Sequence, residues 1–348
     1  MQKGVTYALV SAVLFGLSTP LAKRFVGTTH PLVLAGLLYA GSGVGLVMVL
    51  VARRILARAD RFIGMPDRVE WLWLGGAILF GGVVGPVALM YGLRTTPASS
   101  ASLLLNLEAV FTALLAWFLF GENFDRRIAL GMLAIVAGGV ALAWSPREGN
   151  VSYGALLIAG ACLAWALDNN LTRRASAADA VLIAALKGLA GAIVNLGLAV
   201  TLGQRLPTAI TWSAAMVVGF LGYGVSLTLF VLALRDLGSA RTGAYFSIAP
   251  FFGAVVAIVL QGDAIHWQLL IAGALMAFGT WLHLTERHVH SHVHEWQEHE
   301  HSHMHDAHHS HPHDFEWDGR EPHTHRHVHS PITHAHPHYP DIHHRHEH

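Results

Sequence analysis

Cysteine is almost missing from this chain. Cys162 is the only one among 348 residues, and it lies inside an apolar run. That excludes a disulfide framework and any thiolate metal site, and leaves Cys162 as a small packing residue. Charge is scarce as well: 13% of residues are charged, and Lys plus Arg balance Asp plus Glu at 22 each. Net charge therefore gives no footprint for nucleic acid, and no nucleic-acid partner is expected. Lys3, Lys23 and Lys187 stand in no G-x-x-x-x-G-K-[ST] pattern, so no phosphate-cradling loop is present. The apolar segments have no polar faces, which a soluble helical protein would need on its surface. No nucleophile–base spacing occurs in them, so an enzyme is not expected. The opening MQKGVTYALVSAVLFGL lacks a convincing cleavage site and runs through Lys23-Arg24 into further apolar sequence. It reads as a first membrane helix, not a secretion signal.

What is present is hydrophobic length. A bilayer core takes about 20 helical residues to cross. Ten segments meet or approach that: 5–22, 31–52, 71–93, 98–120, 128–144, 153–171, 180–202, 211–234, 240–260 and 267–284. The fifth and tenth are short but carry the small-residue spacing of close-packed membrane helices, at Gly131 with Gly138-Gly139 and at Gly273 with Gly279. Trp71, Trp73, Trp117, Trp144, Trp212 and Trp281 fall near segment ends, as an aromatic belt does. With alternating segments, the loops on the N-terminal side hold twelve Lys or Arg against five on the other side. The positive-inside rule then puts both termini in the cytoplasm of a cell (inner) membrane protein.

The segments repeat. YGLRTTPASSASLLLNLEAVFTALLAWFLFGENF (91–124) falls on LALRDLGSARTGAYFSIAPFFGAVVAIVLQGDAI (232–265) at an offset of 141. Leu93-Arg94 then meets Leu234-Arg235, Gly121 meets Gly262, and Glu122 meets Asp263. FGLSTPLAKR (15–24) falls on WALDNNLTRR (165–174) at an offset of 150. Such self-similarity defines the fold before any single element does. Five helices per copy is an odd number, so the second copy enters the membrane upside down. The expected fold class is an all-α integral membrane protein of ten transmembrane helices in two inverted-topology repeats, 1–147 and 148–285, followed by a disordered His-rich tail, 286–348.

These stretches, GLSTPLAKRF, YGLRTTPASSASLLLNLEAVFTALLAWFLFGE and ALRDLGSARTGAYFSIAPFFGAVVAIVLQGD, resemble the drug/metabolite transporter superfamily and its EamA-type members. The resemblance covers residues 1–285. It implies ten helices around a central cavity lined chiefly by helices one, three, four, six, eight and nine. It also implies transport of small solutes: relatives export amino acids, sugars or nucleotide precursors, and some are implicated in metal efflux. The tail departs from the family's usual short terminus.

Ionisable groups in hydrocarbon are costly, so those retained there mark a pathway or a partner. Glu108, near the middle of the fourth segment with Asn106 beside it, is the first candidate: its carboxylate can hold a cation or exchange a proton. Asp168 heads the cluster Asp168, Asn169 and Asn170 in the sixth segment. Lys187 lies at similar depth in the seventh, as an ion-pair partner or a gate, with Asn195 deeper. Ser18, Thr19 and Pro20 occupy the repeat positions of Asp168–Asn170, and Pro20 frees a carbonyl one turn back. Tyr91, Tyr223 and Tyr245 are aromatic candidates for the cavity wall. The bland alternatives are packing hydrogen bonds and helix ends.

The tail carries 23 of the 26 histidines, in H-x-H runs. The candidate metal ligands are His288, His290, His292 and His294; His299, His301, His303 and His305; His323, His325, His327 and His329; and His334, His336 and His338. Imidazole suits zinc, copper, nickel and cobalt, and paired positions on a flexible chain offer several exchangeable sites that acid empties. The tail's 63 residues would span about 45 Å as a flexible coil, enough to sample a cytoplasmic mouth. The leading expectation is secondary efflux of nickel or cobalt, with zinc next, gathered by the tail and passed to Glu108. The alternatives are export of amino acids or other small metabolites with a regulatory tail, and a membrane-anchored metal sensor or buffer. No cofactor is required beyond transition-metal ions on the tail. The partners are the lipid bilayer, a small solute or metal ion and, as an option, a second copy in a homodimer.

Overall fold

A computed structural model describes residues 2–56, 68–120, 126–145, 149–174, 179–237, 239–285, 289–294, 297–303, 323–329 and 332–337. Residues 1–286 form one compact unit and 287–348 a second. In the first unit α1 spans Gln2–Val26 and α2 Pro31–Leu56. The third crossing is composite: α3 (Arg68–Ala77), a π-helical turn (Ile78–Val84) and α4 (Gly85–Thr95). The fourth is broken into α5 (Ala98–Leu104) and α6 (Leu107–Phe120), and α7 (Arg126–Ala143) completes the first copy. A short ladder of β1 (Trp144–Ser145) and β2 (Asn150–Val151) leads to α8 (Tyr153–Arg174) and α9 (Ala180–Thr201). The eighth crossing joins α10 (Ala209–Gly219), a π-helical turn (Phe220–Val225) and α11 (Ser226–Leu237). The ninth is broken into α12 (Ser239–Phe246) and α13 (Ala249–Gln261), and α14 (Trp267–Leu284) is the tenth. Among the described residues, nine helical stretches are long and apolar enough to cross a bilayer, and α13 is a shorter apolar helix. The chain is an all-α multi-pass membrane protein.

Local chemistry sets several of these boundaries. Asp179 caps α9, its carboxylate accepting from the amides of Val181 and Leu182 at 2.8 and 3.1 Å. Gly262 ends α13 in a left-handed conformation, φ 70°, where a side chain would be strained. The two π-turns come from the same place in the repeat. The amide of Gly85 reaches back five residues to the Phe80 carbonyl, and Ser226 does the same to Leu221. A wide turn frees neighbouring carbonyls for outside donors. In the first copy these are taken: Tyr39 Oη and Trp165 Nε1 donate to the Gly81 carbonyl at 2.5 and 3.2 Å, and Asn195 Nδ2 donates to Gly82 at 2.9 Å.

Packing shows how the copies are arranged. On α2 and α9, Gly36 lies against Leu196 while Gly43 lies against Gly188 and Leu189, so the two helices run in opposite directions. On α7 and α14, Gly131 meets Gly279 and His283 while Gly138 meets Ala272 and Met276, again antiparallel. Equivalent helices of the two copies therefore pair head to tail, as inverted repeats require. The first helix of each copy packs along the broken helix of the other. Gly16 of α1 touches Ala249 and Gly253, and Arg24 donates to the Leu260 carbonyl at 3.0 Å, so α1 and α13 run parallel. Along α8 and the broken α5–α6 helix the same holds: Cys162 Sγ donates to the Leu104 carbonyl of α5 at 3.6 Å, and Asn170 to the Thr112 carbonyl of α6 at 3.3 Å.

In the second unit, β3 (Val289–His294) pairs antiparallel with β6 (Ile332–Pro337), and β4 (Gln297–His303) with β5 (His323–His329). The sequence reading placed no strand here, yet H-x-H alternation has the period of extended backbone. His290 registers with His336 and His292 with His334; His299, His301 and His303 register with His327, His325 and His323. His288, His305 and His338 lie outside the described residues.

Candidate functional site

Hydropathy alone predicts one apolar segment over 98–120 with Glu108 near its middle. The structure breaks it at Leu105–Asn106. The amides of Leu105, Asn106 and Glu108 each bond three residues back, to Ser102, Leu103 and Leu105, a tightened turn between two half-helices. Glu108 thus stands in the first turn of α6, where a negative charge is favoured by the helix dipole. The ninth segment breaks at Ser247–Ile248, the matching position of the second copy. Paired breaks in the interior of membrane helices occur where backbone lines a cavity.

Two polar groupings form around α6, α8 and α9. Asn169 Nδ2 donates to Glu108 Oε1 at 2.8 Å. Asp168, one residue earlier, turns the other way: Lys187 Nζ donates to its two carboxylate oxygens at 2.5 and 2.7 Å. Thr172 Oγ1 donates to Asp168 at 2.9 Å. Asp168 is buried and Lys187 half-buried, with 9% and 18% of their side chains accessible. Asp168 also presses on the π-turn, where a Cβ at Gly81 would come 1.8 Å from its Oδ2. Glu108 has an amide partner and, among the described residues, no cation within ion-pair distance.

The other candidates are spent on backbone. Asn106 Nδ2 donates to the Leu103 carbonyl at 2.9 Å and also faces Met276 sulfur at 3.9 Å. Asn170 donates to the Ala166 carbonyl at 2.9 Å, and Asn195 to Gly82 as described. Ser18 Oγ donates to Phe15 at 2.6 Å, and the Pro20 carbonyl accepts from Gln261 Nε2. The carbonyl bonded at Pro20 is thus its own, not the one a turn back. Thr19 is buried against Ser102, Ala249 and Pro250 in a crevice between α1, α5 and α13. Tyr245 is half-buried on α12. Tyr223, in the second π-turn, forms an aromatic band with Tyr39 and Phe15, at ring distances of 5.8 and 6.0 Å. Tyr39, Trp165 and Thr172 are not among the candidates that the sequence offers; the adjacent pair Gly81-Gly82 in FGGVVG is the visible sign that the backbone there is exposed to outside donors.

At the far end of α1, Lys23 Nζ donates to the Leu93 carbonyl and, at 2.9 Å, to Thr96. Asp263 Oδ2 accepts from the Ser99 amide at 2.8 Å. The charged and acidic positions matched across the repeat thus include residues that tie helix ends together. A cation attracted to Glu108 would find carboxylate and amide oxygen there; among the described residues no group of three His, Cys, Asp or Glu side chains is placed to hold a metal ion.

The sequence matches the profile of the EamA-like transporter family twice, over residues 2–144 and 152–285. An uncharacterized transporter of Methanothermobacter thermautotrophicus is 27% identical over 293 residues, covering 80% of this chain and 85% of that protein. The uncharacterized transporter YvbV of Bacillus subtilis is 24% identical over 281 residues, covering 76% and 85%. A shorter match, 42% identical over 67 residues, covers 19% of this chain and 61% of a probable 4-amino-4-deoxy-L-arabinose-phosphoundecaprenol flippase subunit, ArnE, of Erwinia tasmaniensis. One crystal structure shares the fold with a TM-score of 0.58 and 22% identity, over 80% of this chain and 95% of its own. Two profile matches in two inverted sets of helices give one conclusion: the chain belongs to the EamA-like transporter family of the drug/metabolite transporter superfamily.

Proposed function

We propose that this transporter is a secondary exporter of a small cation, with Glu108 as the binding carboxylate and a divalent transition metal, nickel or cobalt before zinc, as the cargo. The observation that carries the reading is the position of Glu108. It is an ionisable side chain at the break of a membrane helix, held by one amide and, among the described residues, without a cation partner, while the neighbouring carboxylate of Asp168 is already paired. The repeats 1–147 and 148–285 would rock about the broken helices and expose Glu108 to each side in turn, with proton counterflow through the same carboxylate. The H-x-H positions of the tail supply the reason for a metal: several labile imidazole sites on a cytoplasmic segment would raise the local ion concentration at the inner mouth. The arginine and lysine distribution supports an inner-membrane location with both termini in the cytoplasm. One carboxylate beside one amide, with no cluster of ligating side chains among the described residues, suits a partly hydrated or chelated ion.

A second reading, export of an amino acid or similar metabolite with a regulatory tail, draws on the same donors: carboxylate and amide recognise an ammonium group as well as a metal. Flux of radiolabelled nickel and of amino acids into everted vesicles separates the two, with full-length protein, protein lacking 286–348, and Glu108→Gln. The metal reading expects nickel flux that falls at least about tenfold in Glu108→Gln and weakens without the tail at low nickel. Amino-acid flux alone selects the second reading. Nickel tolerance that needs the tail but not Glu108 selects a sensor or buffer and ends the transport reading.

A further inference from the structure

The repeat offers a controlled comparison at the two helix breaks. In the first copy the N-terminal end of α6 carries its own counter-charge, Glu108, in the first turn. In the second copy Ala249 and Pro250 stand in that place at the start of α13, a helix of 13 residues. Among the described residues, α13 has no acidic residue in its first turn, and its cap residue, Ile248, offers no side-chain acceptor. Among the described residues, neither a first-turn carboxylate nor a side chain at the cap position complements the positive end of the α13 dipole.

A second, independent feature points at the same place. The crevice at this helix end is lined by Phe15, Thr19, Leu105, Pro250 and Ser102. Ser102 is 1% exposed, and among the described residues its hydroxyl has no hydrogen-bond partner. A buried hydroxyl without a partner costs free energy that folding does not recover. Thr19, also buried, adds a second hydroxyl-bearing side chain to the wall. A helix N-terminus with a free hydroxyl before it binds an oxygen acceptor, and best an anionic one.

We infer that the Ser102–Thr19 crevice is a second subsite of the transport pathway, taking the carboxylate of a solute whose cationic end lies at Glu108. This deepens the reading of Glu108 as the cation site and rests on it. Ser102 on α5 and Glu108 on α6 flank the break at Leu105–Asn106 from opposite sides. The solute is then elongated, with an ammonium or a bound metal at one end and a carboxylate at the other. Two sources share that chemistry: an ω-amino acid, and a metal ion carried by a small carboxylate chelator.

Ligand-induced thermal stabilisation of the purified full-length protein tests this. The probes are 6-aminohexanoate against hexylamine, and nickel with equimolar histidine against nickel alone. We expect at least one carboxylate-bearing probe to raise the unfolding temperature more than its partner lacking the carboxylate; which pair responds identifies the source. Ser102→Ala should abolish that difference. Removing an unpartnered hydroxyl should not weaken the fold, so its ligand-free unfolding temperature should match that of the parent protein. Thr19→Ala provides a second variant at the same wall. Equal stabilisation within both pairs, no stabilisation by any probe, or a carboxylate advantage that survives in both variants overturns the subsite. Glu108→Gln reads the underlying assignment separately: if the carboxylate advantage persists there undiminished, the cation site is misplaced while the subsite stands.

Discussion

Where Asp168 of the second copy lies against Gly81, the first copy places Ser18 against Gly222. The backbones agree down to the five-residue hydrogen bond of each π-turn, yet one copy carries a buried charge and the other a hydroxyl. Inverted symmetry by itself would make the two faces of the pathway alike. The side chains break it: Asp168, Lys187, Asn169 and Glu108 gather on one side of the breaks, and Thr19, Ser102 and Ala249 on the other. The repeat therefore supplies a frame for motion, and its asymmetry supplies the chemistry.

The sharpest way to break this comparison is at the ion pair. Lys187→Met leaves Asp168 buried beside Gly81 without its cation and should cost about 3–5 kcal/mol of stability. Combining it with Asp168→Ser, the residue of the first copy, should recover most of that loss, because no unpaired charge remains. Denaturant midpoints of both single variants and the double variant in detergent read the coupling. Additive losses would mean that the pair is incidental to the packing of α8 against α9.

Much of this frame was legible in the sequence. Hydropathy marks the apolar helices, nine of them long enough to cross a bilayer among the described residues, and the matched LR, GE/GD and KR/RR positions reveal the duplication. Even the nearness of Asp168 and Lys187 follows from their depths. The breaks were not legible, because a hydropathy average over 98–120 or 240–260 runs through Leu105–Asn106 and Ser247–Ile248 without a dip. The π-turns were hidden for a related reason: a register change of one residue alters hydrogen bonding without altering composition. Asn106 stands two residues before Glu108 in the sequence. The backbone turn between them points it instead at the Leu103 carbonyl, and Asn169, from another helix, takes the carboxylate.

A smaller effect separates the two π-turns. Gly81→Ala would drive a methyl to 1.8 Å from Asp168 Oδ2, whereas Gly222→Ala meets Ser18 Cβ at 2.6 Å. Overpacking of this kind costs about 1–3 kcal/mol, and the first variant should fall at the upper end because the displaced carboxylate is also held by Lys187. In the Asp168→Ser background the two glycine variants should become similar. Thermal melts of the four proteins test the ranking; a larger loss at Gly222 would reverse it. Asn106→Ala sits lower still, at about 1 kcal/mol for one side-chain bond to a carbonyl at the break.

The finest distinction lies in the turn between the first two helices of each copy. His30 fills this position in the first copy, edge-on to the Tyr91 ring at 5.9 Å with Tyr91 Oη 3.5 Å from Nε2. Residues 175–178 of the second copy hold no histidine. Burial holds the His30 imidazole below its usual value of 6.5, and the nearby Arg94 adds to the effect. In the unfolded chain it titrates near 6.5. The folded state therefore binds fewer protons below that pH, so the contribution of His30 is complete above about 6.5 and is lost as pH falls below it. Acid should loosen the 27–31 turn, seen as faster amide exchange there at pH 5.5 than at 7.5 after correction for intrinsic rates. His30→Gln should remove that difference while leaving exchange in α9 untouched. An acid response that survives the substitution would mean that the first copy's turn is governed by some other group, and the two copies would differ less than their side chains imply.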